Sequence, residues 1–151
     1  MYWKKELIQD LASLGGIPIY LIAFLVFLLL KNFKVAFQIA VVFFLAYFLV
    51  VLIRFFYFKE RPLKFKYKNL IEKLDAASFP SLHAMRASAL ALILSFYFGN
   101  FILGLIFFIG AALSGLAKVI LKKHWLLDIF VGFLLGVFVG FVSIILSNLV
   151  F

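Results

Sequence analysis

The sequence predicts an all-α protein: a membrane-embedded bundle of about five transmembrane helices, preceded by an N-terminal helix lying in the interface. Three observations predict it. Of 151 residues, 68% are hydrophobic and only 14% charged, too little polar surface to cover a water-soluble globule of this size. The apolar residues fall in uncharged runs of the length that crosses a bilayer, about 20 residues each. The Lys and Arg residues, 15 against six acids, gather at the edges of those runs, as headgroup-facing charges do. That placement argues against nucleic acid as the partner of the basic charge and leaves the lipid bilayer in its place. The absence of cysteine excludes disulfides and thiolate metal sites, and two His with six acids offer few ligands, so neither a metal nor another cofactor is expected.

Taken in order, Trp3, Leu7 and Leu11 recur at every fourth position opposite Lys4, Lys5 and Asp10, which suits a short interfacial helix. Glu6 and Asp10 interrupt the basic start, and the following apolar stretch is too long for a signal core, so a retained span is expected. The first two spans run from Leu11 to Leu30 and from Val35 to Ile53, joined by Lys31-Asn32-Phe33-Lys34. The stretch Ala87 to Ala117 would be about 46 Å long as one helix, against a hydrocarbon core of about 30 Å. It therefore folds back, and Gly99-Asn100 supplies the turn signal. Spans three and four are placed at about 83–98 and 101–121, and a fifth runs from Ile129 to Phe151. Between Lys59 and Pro80, Leu63-Lys64-Phe65-Lys66-Tyr67-Lys68 alternates and is followed by Leu70, Ile71 and Leu74, a pattern suited to headgroups or to capping the bundle.

This threading puts the N-terminus, the 59–80 connection and residues 122–124 on one face. Only Lys31 and Lys34 of the basic residues fall on the other. Every residue of chemical note then lies at one end of the bundle: Arg54, Arg61, Ser81, His83, Lys118, His124 and Asp128. Cations aimed from separate helices at one region need an anion, and phosphate fits. Taken singly, Arg54 could only snorkel to the interface, and Pro80-Ser81 is a helix start with Ser81 as cap. The same helix start also presents free N–H groups to phosphate oxygens. His124 and Asp128, four apart, are expected to share a helix face on which the carboxylate accepts the Nδ1 hydrogen and frees Nε2. Gly132, Gly136 and Gly140 continue that stripe and admit a close neighbouring helix; a homodimer through these glycines is the rival reading.

The order Arg-x6-Arg-Pro, Pro-Ser-x-His and Lys-x5-His-x3-Asp resembles the three-part signature of the type 2 phosphatidic acid phosphatase superfamily, usually Lys-x6-Arg-Pro, Pro-Ser-Gly-His and Ser-Arg-x5-His-x3-Asp. The resemblance covers Arg54 to Asp128, with agreement of spacing in all three parts. Arg54 stands where Lys is usual, Ala117 and Lys118 where Ser and Arg are, and Leu82 where Gly is, which puts a side chain where backbone approaches phosphate. The resemblance implies one transmembrane lipid phosphatase domain over 1–151. It implies His124 as nucleophile forming a phosphohistidine, Asp128 holding its ring, and His83 as acid and then base. Arg54, Arg61, Ser81, Leu82 and Lys118 would hold the phosphate, without a metal. Neutral His124 and protonated His83 imply a bell-shaped rate profile.

A site with almost no aqueous domain favours a lipid phosphate arriving through the bilayer. The Lys residues between Lys59 and Lys73 favour a diphosphate, and a polyprenyl diphosphate is the leading expectation. Phosphatidate or phosphatidylglycerophosphate is the alternative substrate, and a lipid phosphotransferase or a non-enzymatic scaffold the alternative function. The expected location is the cell membrane, crossed several times. Without Arg54, Arg61 and Lys118 the site face still carries ten Lys and Arg against two, which points to the cytoplasm; superfamily members that recycle lipid carriers often work on the outer face.

Overall fold

The computed structural model describes residues 2–151; the side chains of Tyr2, Lys4 and Lys5 lie outside the described ones, and with them the basic side of the expected interfacial stripe. Among the described residues there are seven helices and no strands. They are α1 (Tyr2–Ser13), α2 (Ile17–Leu29), α3 (Phe33–Phe56), α4 (Leu70–Ala76), α5 (Leu82–Phe98), α6 (Phe101–Ile120) and α7 (Leu126–Val150). Helices α3, α6 and α7 are long and apolar enough to cross a membrane, and a fourth span results if the segments Glu6–Ser13 and Ile17–Leu29 are counted together across their 47° bend. Helix α5, with 17 residues, rises about 25 Å.

The first expected span is cut short at its start. It begins at Ile17 and not at Leu11, because Gly15-Gly16 breaks the helix and Pro18 suits the first turn of a new one. Adding a Cβ to Gly15 would drive it into the His83 carbonyl oxygen, so only glycine lets the break lie against the start of α5. The other boundaries follow their local chemistry. Lys31 adopts φ 56°, and the Asn32 side chain accepts from Val35 N at 3.2 Å to start α3. At the α5–α6 turn Gly99 takes φ 58°, and Asn100 Oδ1 accepts from Ile102 N and Leu103 N. The 31-residue apolar stretch therefore doubles back where expected.

Helix α5 is the centre of the bundle, packed by α3, α6 and α7 and buried continuously from Ala84 to Ile93. Its small residues permit this, and the glycine stripe of α7 completes it. A Cβ on Gly132 would meet the Ser81 backbone, one on Gly136 would strike the Met85 carbonyl, and one on Gly140 would come within 2.9 Å of Leu92. The face offered for dimerisation is thus spent within the chain. Polar groups join the helices at depth: Gln38 Nε2 donates to Ser147 Oγ at 2.7 Å, and Ser88 Oγ donates to the Phe133 carbonyl at 2.8 Å. Ring contacts Phe27–Tyr97 and Phe37–Phe151 close the end that carries the short turns. The connections carrying the polar constellation gather at the opposite end.

Candidate active site

At that opposite end α3 delivers Arg54 in its last turn. The Arg54 guanidinium donates from Nη1 to the Leu74 carbonyl at 3.0 Å and from Nη2 to the Pro80 carbonyl at 3.2 Å. Its buried Nε has no partner among the described residues. Arg61 ties down the same connection, donating to the carbonyls of Asp75 and Ala77. Burial lowers the Arg61 pKa, against the raising effect of the Asp75 and Asp128 charges.

Ser81 caps α5 as expected: its Oγ accepts from Ala84 N at 3.4 Å, while its own N–H donates to the Asp128 carbonyl at 3.0 Å. The start of α5 is thereby pinned to the start of α7. The N–H groups of Leu82 and His83 carry no hydrogen bond among the described residues, as the first turn of a helix leaves them. Leu82 packs its side chain against the central core, which leaves its N–H available despite the missing glycine.

The His124–Asp128 pair departs from expectation. Helix α7 begins at Leu126 with Trp125 as its cap, so His124 belongs to the connection before it and not to a shared helix face. Its Nδ1 donates to the Ser78 carbonyl at 2.7 Å, while Asp128 Oδ2 stands 3.9 Å away, too far for a hydrogen bond. Asp128 is fully buried and otherwise engaged. Its Oδ2 accepts from Trp125 N at 2.9 Å, and its Oδ1 pairs with Lys59 at 2.6 Å. The consequence for His124 is the one anticipated, reached through a different acceptor: Nδ1 holds the hydrogen, and Nε2 has no hydrogen-bond partner among the described residues. Burial pushes the imidazole below its ordinary value, outweighing the raising effect of Asp128, and the charges of Arg61 and Arg54 add to the lowering.

Ser78 and Lys59 were missed by sequence reasoning. Ser78 acts through a backbone carbonyl, which no residue pattern marks, and in the sequence Lys59 is one of several Lys in a basic connection. The Lys59 ammonium also lies over the rings of Phe79 and Trp125, 5.8 and 6.0 Å from their centroids.

His83 and Lys118 complete the arrangement. Lys118, in the last turn of α6, is buried, and its ammonium makes no hydrogen bond or ion pair among the described residues. His83, in the first turn of α5, lines one cleft together with Arg86, Lys118 and Lys123. Three separate stretches of chain are tied together at this end: Arg54 to the Pro80 carbonyl, Ser81 to the Asp128 carbonyl and His124 to the Ser78 carbonyl.

The PAP2 superfamily model matches residues 35–150, which takes in every residue of this site. The crystal structure of Aquifex aeolicus LpxE shares the fold, with a TM-score of 0.78 and 24% identity over 95% of this chain and 86% of that chain. Comparison with curated proteins gives no match. With the three-part motif intact in spacing and the family match extending over all five long apolar segments but the first, the chain belongs to the PAP2 superfamily of phosphatases.

Proposed function

We propose that this protein hydrolyses a lipid phosphate or diphosphate at the membrane interface through a phosphohistidine on His124. The observation that carries the reading is the single hydrogen bond from His124 Nδ1 to Ser78. It fixes the tautomer in which Nε2 holds a lone pair and faces no competing donor.

His124 Nε2 attacks phosphorus, and the P–O bond to the lipid breaks. Once the anionic substrate offsets the cations around it, His83 takes up a proton and gives it to the leaving oxygen, then takes one from the water that attacks the phosphohistidine, releasing orthophosphate. Asp128 stabilises the ring by charge from 3.9 Å and not by a hydrogen bond. Arg54, Arg61, Lys118 and the start of α5 at Ser81 and Leu82 receive the nonbridging oxygens. A rim of cations repels a divalent metal and supplies the positive charge such an ion would bring, which supports metal-independent catalysis. The substrate enters from the bilayer, since the chain has almost no polar domain with which to capture a soluble ester. A polyprenyl diphosphate is favoured by the basic stretch Lys59 to Lys73, with phosphatidate or phosphatidylglycerophosphate as the alternative. The proposed setting is the cell membrane.

The test is phosphate release from a panel of lipid phosphates in detergent with a chelator present. Wild type is expected to be active, and His124→Ala and His83→Ala to lose at least about 10³-fold. An added alcohol acceptor that diverts the phosphoryl group would reassign the protein as a phosphotransferase. Equal rates for wild type and His124→Ala would overturn the histidine mechanism.

A further inference from the structure

A cavity of about 460 Å³ lies between the α1–α2 break and the site ends of α5 and α6. His83, Arg86, Lys118 and Lys123 line it, with Gln9 and Ser13 opposite, and no acidic residue does. Arg86 is 5% exposed. Its Nε donates to the Gly15 carbonyl at 3.1 Å, and its two terminal nitrogens, without a hydrogen bond among the described residues, keep accessible surface where Arg86 lines the cleft. A guanidinium whose unused donors turn to a cleft, beside two further cations and no acidic lining residue, makes that cleft attractive to an anion. The mechanism above employs Lys118 on the transferring phosphoryl group and leaves Arg86 and Lys123 without a task.

His83 stands in the wall shared by the catalytic end and this cavity. As the acid that protonates the leaving oxygen, it places the leaving group on the cavity side. When a lipid monophosphate is cleaved, the leaving group is a neutral alcohol once protonated and needs no cations. When a lipid diphosphate is cleaved at its terminal phosphorus, the bond to the bridging oxygen breaks, that oxygen takes the His83 proton, and the departing lipid monophosphate still carries negative charge. We propose that Arg86 and Lys123 form a second phosphate subsite that holds the lipid-proximal phosphate of a diphosphate substrate and selects diphosphates over monophosphates. The inference rests on the histidine mechanism for the direction of the leaving group and on the cavity itself for the anion.

The experiment compares farnesyl diphosphate with farnesyl monophosphate in neutral detergent free of phospholipid, so that no bilayer headgroup competes. The readout is the ratio of kcat/KM for the two, measured on one preparation, which cancels any loss of folded protein. Lys123→Gln, an exposed position, and Arg86→Gln are each expected to lower that ratio by about tenfold, the scale of a charge-assisted phosphate contact. An unchanged ratio in both variants overturns the subsite. A second arm needs no turnover: inorganic pyrophosphate is expected to raise the Tm of the full chain more than orthophosphate does, and Lys123→Gln to remove the difference. Equal protection by the two ions overturns the subsite as well. Should wild type release phosphate from neither farnesyl lipid while a glycerolipid phosphate is cleaved, the subsite is overturned together with the polyprenyl preference, and the histidine mechanism stands.

Discussion

The Lys59 ammonium lies 2.6 Å from Asp128 Oδ1, closer than any approach of His124 to the same carboxylate, whose Oδ2 is 3.9 Å from Nδ1. Asp128 is fully buried, whereas the Lys59 side chain is 24% exposed. The two ends of this ion pair are therefore unequal. The carboxylate depends on the ammonium, and the ammonium can reach water without the carboxylate.

That asymmetry predicts unequal costs. Lys59→Met strands a buried charge and is expected to destabilise the protein by about 3 kcal/mol or more. Asp128→Asn leaves a lysine free to solvate and is expected to cost less. The double variant should recover part of the Lys59→Met loss, and thermal unfolding in detergent measures all three. Additive losses would mean that the pair is not coupled.

The depressed pKa of His124, set first by burial, fixes the sign of the acid limb of the rate profile. Nε2 remains unprotonated below the ordinary value of 6.5, so kcat/KM should stay high as pH falls to that value and decline only beneath it. The same group favours folding fully above 6.5, and its contribution is lost as pH falls from there towards the lowered folded value, since the unfolded chain takes up the proton first. An acid limb above pH 6.5 would place the titration on another group.

The α5–α7 contact predicts a contrast between glycines on two helices. Gly136→Ala must push α7 away from the Met85 carbonyl and is expected to destabilise by about 1–3 kcal/mol. Gly110→Ala, with nothing within 4 Å of its added Cβ, should be neutral or stabilising by up to about 1 kcal/mol. Comparable Tm shifts for both would show that α7 is not held by its glycine face.

Much of this architecture was legible in the sequence because it rests on local signals. The fold-back at Gly99-Asn100 follows from a left-handed glycine and a capping Asn, and the start of α5 from Pro80-Ser81. The glycine stripe announced a close neighbour, although the sequence left open whether that neighbour was α5 or a second chain. What escaped notice depends on atoms that residue patterns do not encode. The acceptor for His124 Nδ1 is the carbonyl of Ser78, which any residue carries, and it meets the ring only because the 77–81 segment passes beneath the α6–α7 connection. The i,i+4 spacing of His124 and Asp128 suggested a shared helix, but Trp125 caps α7 and leaves the histidine outside it. Lys59 looked like one basic residue among many until the fold set it against Asp128.

The two short turns at 31–32 and 99–100 lie at the end of the bundle away from every reacting group, and the chain contains no cysteine. A single thiol introduced as Phe101→Cys, at a position 85% exposed, would be the sole target for a membrane-impermeant maleimide. Labelling from outside intact cells would assign the chemistry to the cytoplasmic leaflet. Protection there, with labelling of Lys64→Cys instead, would put orthophosphate release on the outside.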